Sequence, residues 1–131
     1  MIKLAFCLRR RAELSLGEFQ RYWLDMHGPL VRQHAEALGM QRYVQLHTED
    51  HPVNAALQAP RGGPEPFDGI AELWWESVEA LVEAVSTPEG RHAAELLLAD
   101  ERRFIDLERS PLFVAREHEL HAAGREAGDV A

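Results

Sequence analysis

The chain has 131 residues, 46% hydrophobic and 27% charged; this fits one globular domain that buries roughly two-thirds of the surface its unfolded chain exposes, and it excludes a disordered, collagenous or long coiled-coil chain. Its 22 acidic and 14 basic residues give a formal net charge of −8, and because phosphate backbones and anionic lipid select for Lys and Arg, neither a nucleic acid nor a membrane is an expected partner. The single cysteine, Cys7, excludes an intrachain disulfide and a Cys-based zinc site, and with no secretory leader pattern and no apolar run of membrane-spanning length the expected location is cytoplasmic.

Residues 2–9 alternate, with Ile2, Leu4, Phe6 and Leu8 on one side, and predict a first strand. Ser15 and Glu18 then form a capping-box pattern. Leu16, Phe19, Trp23, Met26 and Leu30 follow at helical spacing and predict one buried stripe. His27-Gly28-Pro29 interrupts it. Pro29 has no N–H and crowds the carbonyl four residues back, so a kink or break is expected at 28–29, with a second helical piece over 30–38.

Residues 40–48 alternate as a second strand, with Met40, Val44 and Leu46 on one side and Gln41, Tyr43, Gln45 and His47 on the other. Residues 50–68 hold four of the seven prolines and predict an irregular excursion with one helical turn at 53–58, of the kind that often lines or lids a site. Residues 69–76 form a third strand, with Ile70, Glu72, Trp74 and Glu76 opposite Ala71, Leu73 and Trp75. Ser77 caps a helix carrying Val78, Leu81, Val82 and Val85. Thr87-Pro88-Glu89 starts another that runs to about Glu101. Residues 112–119 alternate as a fourth strand, and 120–131 read as a polar tail.

Strand, helix, strand, strand, helix, strand is the split βαβ order of a ferredoxin-like α+β fold. It implies a four-stranded antiparallel sheet with helices on one face. The helix-free face carries a tryptophan in either register of the third strand. An apolar patch of that kind marks an interface, so the expectation is a homodimer packed sheet on sheet.

Among candidate chemical groups, His27 at the helix interruption is either an acid–base group or a side chain that satisfies the backbone there. Glu72 between Ile70 and Trp74 is either a carboxyl with a raised pKa or a surface acid paired with a cation. Asp100 and Asp106 flank Phe104, six residues apart across a helix end. Tyr43 and His47 share one strand face, lining a polar wall or facing water. Trp23, Trp74, Trp75 and Phe104 are core, interface or ligand walls. The seven histidines lack the spacing of a helical metal site, so no metal is expected.

Phe19-Gln20-Arg21-Tyr22-Trp23-Leu24-Asp25-Met26-His27-Gly28-Pro29-Leu30 resembles the Trp-x-x-x-His-Gly-Pro-Leu signature of the EthD family, in the dimeric α+β barrel superfamily. Residues 67–75 and 100–106 are similar to that family's third strand and to the acidic, aromatic segment before its last strand. The resemblance covers residues 2–119, leaving 120–131 as a tail. It implies a subunit that dimerises through its sheets, with a small-molecule pocket near His27. Its superfamily relatives include muconolactone-type isomerases, aromatic polyketide cyclases and cofactor-free monooxygenases.

Read together, these features predict a cofactor-independent acid–base enzyme acting on a small hydrophobic or aromatic carbonyl compound. In that reading His27, Glu72 and Asp106 do the chemistry. Trp23, Tyr43, Trp74 and Phe104 hold the ligand, with Tyr43 hydrogen-bonding a developing enolate oxygen. Cyclisation, isomerisation and dehydration fit, with cofactor-free oxygenation as a variant. The alternatives are a non-catalytic carrier lidded by the Pro-rich loop, and an accessory component of an oxygenase or degradation pathway.

Overall fold

The computed structural model describes residues 1–124; of the predicted tail, 125–131 lie outside the described residues. Four strands, β1 (Ile2–Leu8), β2 (Arg42–His47), β3 (Gly69–Trp75) and β4 (Leu112–Ala115), form one antiparallel sheet in the order β2-β3-β1-β4. This is the ferredoxin-like arrangement. The helices are α1 (Leu16–Tyr22), α2 (Gly28–His34), α3 (Val53–Gln58), α4 (Val78–Ser86) and α5 (Pro88–Glu101). The predicted fourth strand starts at Leu112 as expected but ends at Ala115 rather than at 119, because β1 pairs only Lys3 to Phe6 with it.

Register sorts the side chains between two faces. Leu4 opposes Leu73, and Phe6 opposes Ala71. With Leu8 they pack under the helices against Phe19, Trp23, Phe104 and Ile105. The predicted capping box is formed: Ser15 Oγ accepts from Glu18 N at 3.1 Å, and Glu18 Oε1 accepts from Ser15 N at 2.9 Å. Ser77 and Thr87 cap α4 and α5 as expected.

The helix does not break at Gly28-Pro29. A π-helical turn over Trp23–His27 joins α1 to α2, closed by a hydrogen bond from Gly28 N–H to Trp23 O. His27 and Gly28 both keep right-handed helical dihedrals. A wider turn absorbs the crowding by Pro29 that would otherwise bend the chain. It also moves the buried stripe by one residue. Phe19 and Trp23 are buried as predicted, but Met26 is 61% exposed, while His27 (6%) and Val31 are buried in the turns that follow.

The helix-free face carries Ile70, Glu72 and Trp74 with Lys3, Ala5 and Cys7 beside them. It is less apolar than predicted. Lys3 Nζ and the Arg42 guanidinium each sit 4.5 Å from the Trp74 ring centre, and Trp74 Nε1 donates to Glu117 at 2.8 Å. Trp74 is therefore only 8% exposed, and the open apolar groups on this face are Leu46 and Phe113. No helix among the described residues is long and apolar enough to cross a membrane.

Candidate active site

Residues at helical spacing on α5 determine what faces the sheet. Gly90, Ala93 and Leu97 are its buried positions. The next residue of that stripe is Glu101, the last of the helix. Its carboxyl enters a cavity of about 440 Å³ between the sheet and the helices, walled by Phe6, Leu73, Trp75, Leu81 and Leu97, where Ser110 is the other polar side chain. Burial pushes the Glu101 carboxyl up to about 7, and the neighbouring Asp100 charge adds to the rise against the opposing Arg102. Its place at a helix C-terminus also disfavours the anion. No hydrogen bond or ion pair holds this carboxyl among the described residues.

Asp100, one residue earlier, turns to the other side of α5. Its Oδ1 accepts from the Tyr22 hydroxyl at 2.6 Å, and its Oδ2 lies 2.8 Å from His27 Nδ1. The Phe104 ring closes over His27 at 5.0 Å between ring centres. Burial holds His27 below its ordinary 6.5, outweighing the opposing hydrogen bond and charge of Asp100. Neutral His27 thus donates from Nδ1, and Asp100 receives donors on both oxygens. The π turn makes this geometry, since it carries His27 inward where a regular helix would have placed Met26.

The other predicted site residues lie elsewhere. Glu72 and Trp74 occupy the opposite face of the sheet from His27, and Glu72 pairs with Lys3 Nζ at 2.9 Å. The reason is strand parity: in β3 the even residues face away from the helices. Asp106 follows α5 in a polar surface groove with Arg11 and Glu108, its carboxylate 3.8 Å from Arg109. Trp23 and Phe104 are fully buried packing groups, each against Phe19. Tyr43 sits on the helix-facing side of β2, packed against both buried clusters. The Pro-rich excursion, through His51, Pro66 and Asp68, lines a polar groove with Arg10, and none of its residues lines the apolar cavity that the carrier alternative would have it lid. Among the described residues no three His, Cys, Asp or Glu side chains converge as a metal site requires.

Sequence reasoning missed Glu101 and undervalued Asp100. The signal for Glu101 was present: Ala93, Leu97 and Glu101 recur at four-residue spacing, ending the inward stripe on a charge. Nothing in the sequence signalled the pairing of Asp100 with His27 across 73 positions.

The sequence profile of the EthD domain matches residues 11–108. No curated protein matches the chain. An ethyl tert-butyl ether degradation (EthD) family protein from Bacillus halodurans C-125 is 21% identical over 89% of this chain and 98% of its own, with a TM-score of 0.59. An EthD-like protein from Ralstonia eutropha JMP134 is 16% identical over 88% and 89%, with a TM-score of 0.55. SnoaB from Streptomyces nogalater, a cofactor-independent oxygenase, is 14% identical over 90% and 93%, with a TM-score of 0.50. At these identities the structures share the fold.

Proposed function

This chain belongs to the EthD domain family, and from that premise we propose that it is a cofactor-independent acid–base enzyme acting on a small hydrophobic or aromatic carbonyl compound in the cavity between sheet and helices. The observation that carries this reading is a lone carboxyl, Glu101, with a pKa of about 7 at the wall of a 440 Å³ apolar cavity. A group that titrates near neutrality is present as both acid and base. Glu101 as carboxylate takes the proton from the carbon beside the carbonyl, and as carboxylic acid returns it at another atom. Proton removal and return balance without any change of oxidation state, so isomerisation fits directly; cyclisation and dehydration use the same two half-steps, water leaving in the second.

In this reading His27 does not touch substrate. It and Tyr22 hold the Asp100 carboxylate in place beside Glu101, and that charge helps to keep the Glu101 carboxyl protonated. His27 is therefore a positioning residue, and Asp106, Glu72 and Trp74 take no part in the chemistry. We also propose that the subunit pairs with a second copy through the helix-free face, around Leu46 and Phe113 (44% and 52% exposed). Light scattering at micromolar concentration tests the pairing, a monomer being the contrary result.

A turnover screen over aromatic ketones, lactones and polyketide-like phenols, with chromatography before mass detection, tests the activity. A product formed by the wild type, lost in Glu101→Gln and only slowed in His27→Gln is the expected result. Ligands bound in the cavity without turnover would favour a carrier instead, which the almost wholly apolar lining also suits.

A further inference from the structure

We infer that a second pocket, beside the polar edge of β2, binds the carboxylate of a small aliphatic or aromatic acid through Arg32 and the Tyr43 hydroxyl. This goes beyond the function proposed above and involves a different cavity. The pocket has a volume of about 370 Å³ and is lined by Leu24, Gly28, Pro29, Arg32, Tyr43, Gln45 and His47. Among the described residues no carboxylate lines it, in a chain with 22 acidic residues.

Hydrogen-bond accounting fixes what the pocket offers. Gln45 Nε2 lies 3.0 Å from the Trp23 carbonyl oxygen and 2.6 Å from the Tyr43 hydroxyl, and Gln45 Oε1 lies 2.8 Å from His47 Nε2. A carbonyl oxygen only accepts, so the Gln45 amide donates one N–H to Trp23 and the other to Tyr43. Its Oε1 then accepts from His47 Nε2–H. The Tyr43 oxygen is thus occupied as an acceptor, while its own proton has no acceptor among the described residues. Burial raises the Tyr43 pKa, so the hydroxyl keeps that proton.

The network is held from both ends. His47 stacks on Trp23 at 4.5 Å between ring centres and an interplanar angle of 21°. Gly28 leaves the space that Gln45 needs: a Cβ there would lie 3.3 Å from Gln45 Nε2. Arg32, from α2, brings a guanidinium with no ion pair among the described residues. A guanidinium and a committed hydroxyl donor suit a carboxylate, and Leu24 and Pro29 offer apolar surface to the body that carries it.

The test is an NMR titration of the full chain with benzoate, with benzamide as the neutral isostere. Expected are saturable shifts centred on Tyr43, Gln45 and His47, at least tenfold weaker binding in Arg32→Gln and three- to tenfold weaker binding in Tyr43→Phe. Benzamide should bind weakly and be indifferent to Arg32→Gln. Unchanged benzoate affinity in Arg32→Gln would overturn the inference, as would absence of saturable shifts or shifts centred on Trp75 and Leu97. Arg32 is exposed, so its variant carries the test even if Tyr43→Phe unfolds.

Discussion

Replacing Glu101 by Gln removes a group whose ionisation the fold resists, and its effect is best read as a change in how stability depends on pH. The folded-state pKa of Glu101 is raised from 4.5 to about 7. Between those values the folded protein holds a proton that the unfolded chain has lost, so stability falls as pH rises and levels off above about 7. At about 1.4 kcal/mol per pH unit the interval gives at most about 3 kcal/mol. Solvent at the cavity mouth reduces this, and about 1–3 kcal/mol is the working range. For a chain of this size that is roughly 4–12 °C in Tm. The assay is urea unfolding of wild type and Glu101→Gln from pH 4 to pH 9. The two stability curves should run parallel below pH 4.5, diverge between 4.5 and 7 with the variant gaining, and run parallel again above. A constant offset from loss of the carboxylate's packing would not change that shape. Curves that stay parallel throughout would refute the assignment of Glu101 to an ion-hostile cavity.

Three further outcomes follow from the same structure. Asp100→Asn leaves Tyr22 and His27 with one acceptor oxygen in place of two and should cost about 1–3 kcal/mol in urea unfolding; because it also removes the charge beside Glu101, the Glu101 midpoint should move to lower pH. The His27 ring, followed by NMR, should titrate below 6.5 because burial outweighs Asp100, so stability should fall as pH drops through that region; a midpoint above 6.5 would mean that the carboxylate wins. Gly69→Ala drives a Cβ into the Trp23 ring and to 2.7 Å from the Leu46 carbonyl oxygen, and should cost at least about 2 kcal/mol by thermal unfolding.

Local sequence signals determined the element list of this protein. Alternation in residues 2–8 and 69–75, the Ser15–Glu18 box and the Ser77 and Thr87 caps are physical statements about neighbours in the chain. The order of those elements leaves few ways to cover an apolar sheet, so the ferredoxin-like arrangement was legible as well. The site was not, for two reasons. A π turn adds a residue to one helical turn, and a periodicity argument that assumes 3.6 residues puts Met26 inside where the structure puts His27. The relation between Asp100, His27 and Tyr22 depends on how α5 crosses α1, a long-range contact that no spacing encodes. Glu72 failed as a partner for His27 because parity in β3 sends its side chain to the far face. The pKa of Glu101 belongs wholly to tertiary structure, since burial in the cavity and the charge of Asp100 exist only once the helix has packed against the sheet.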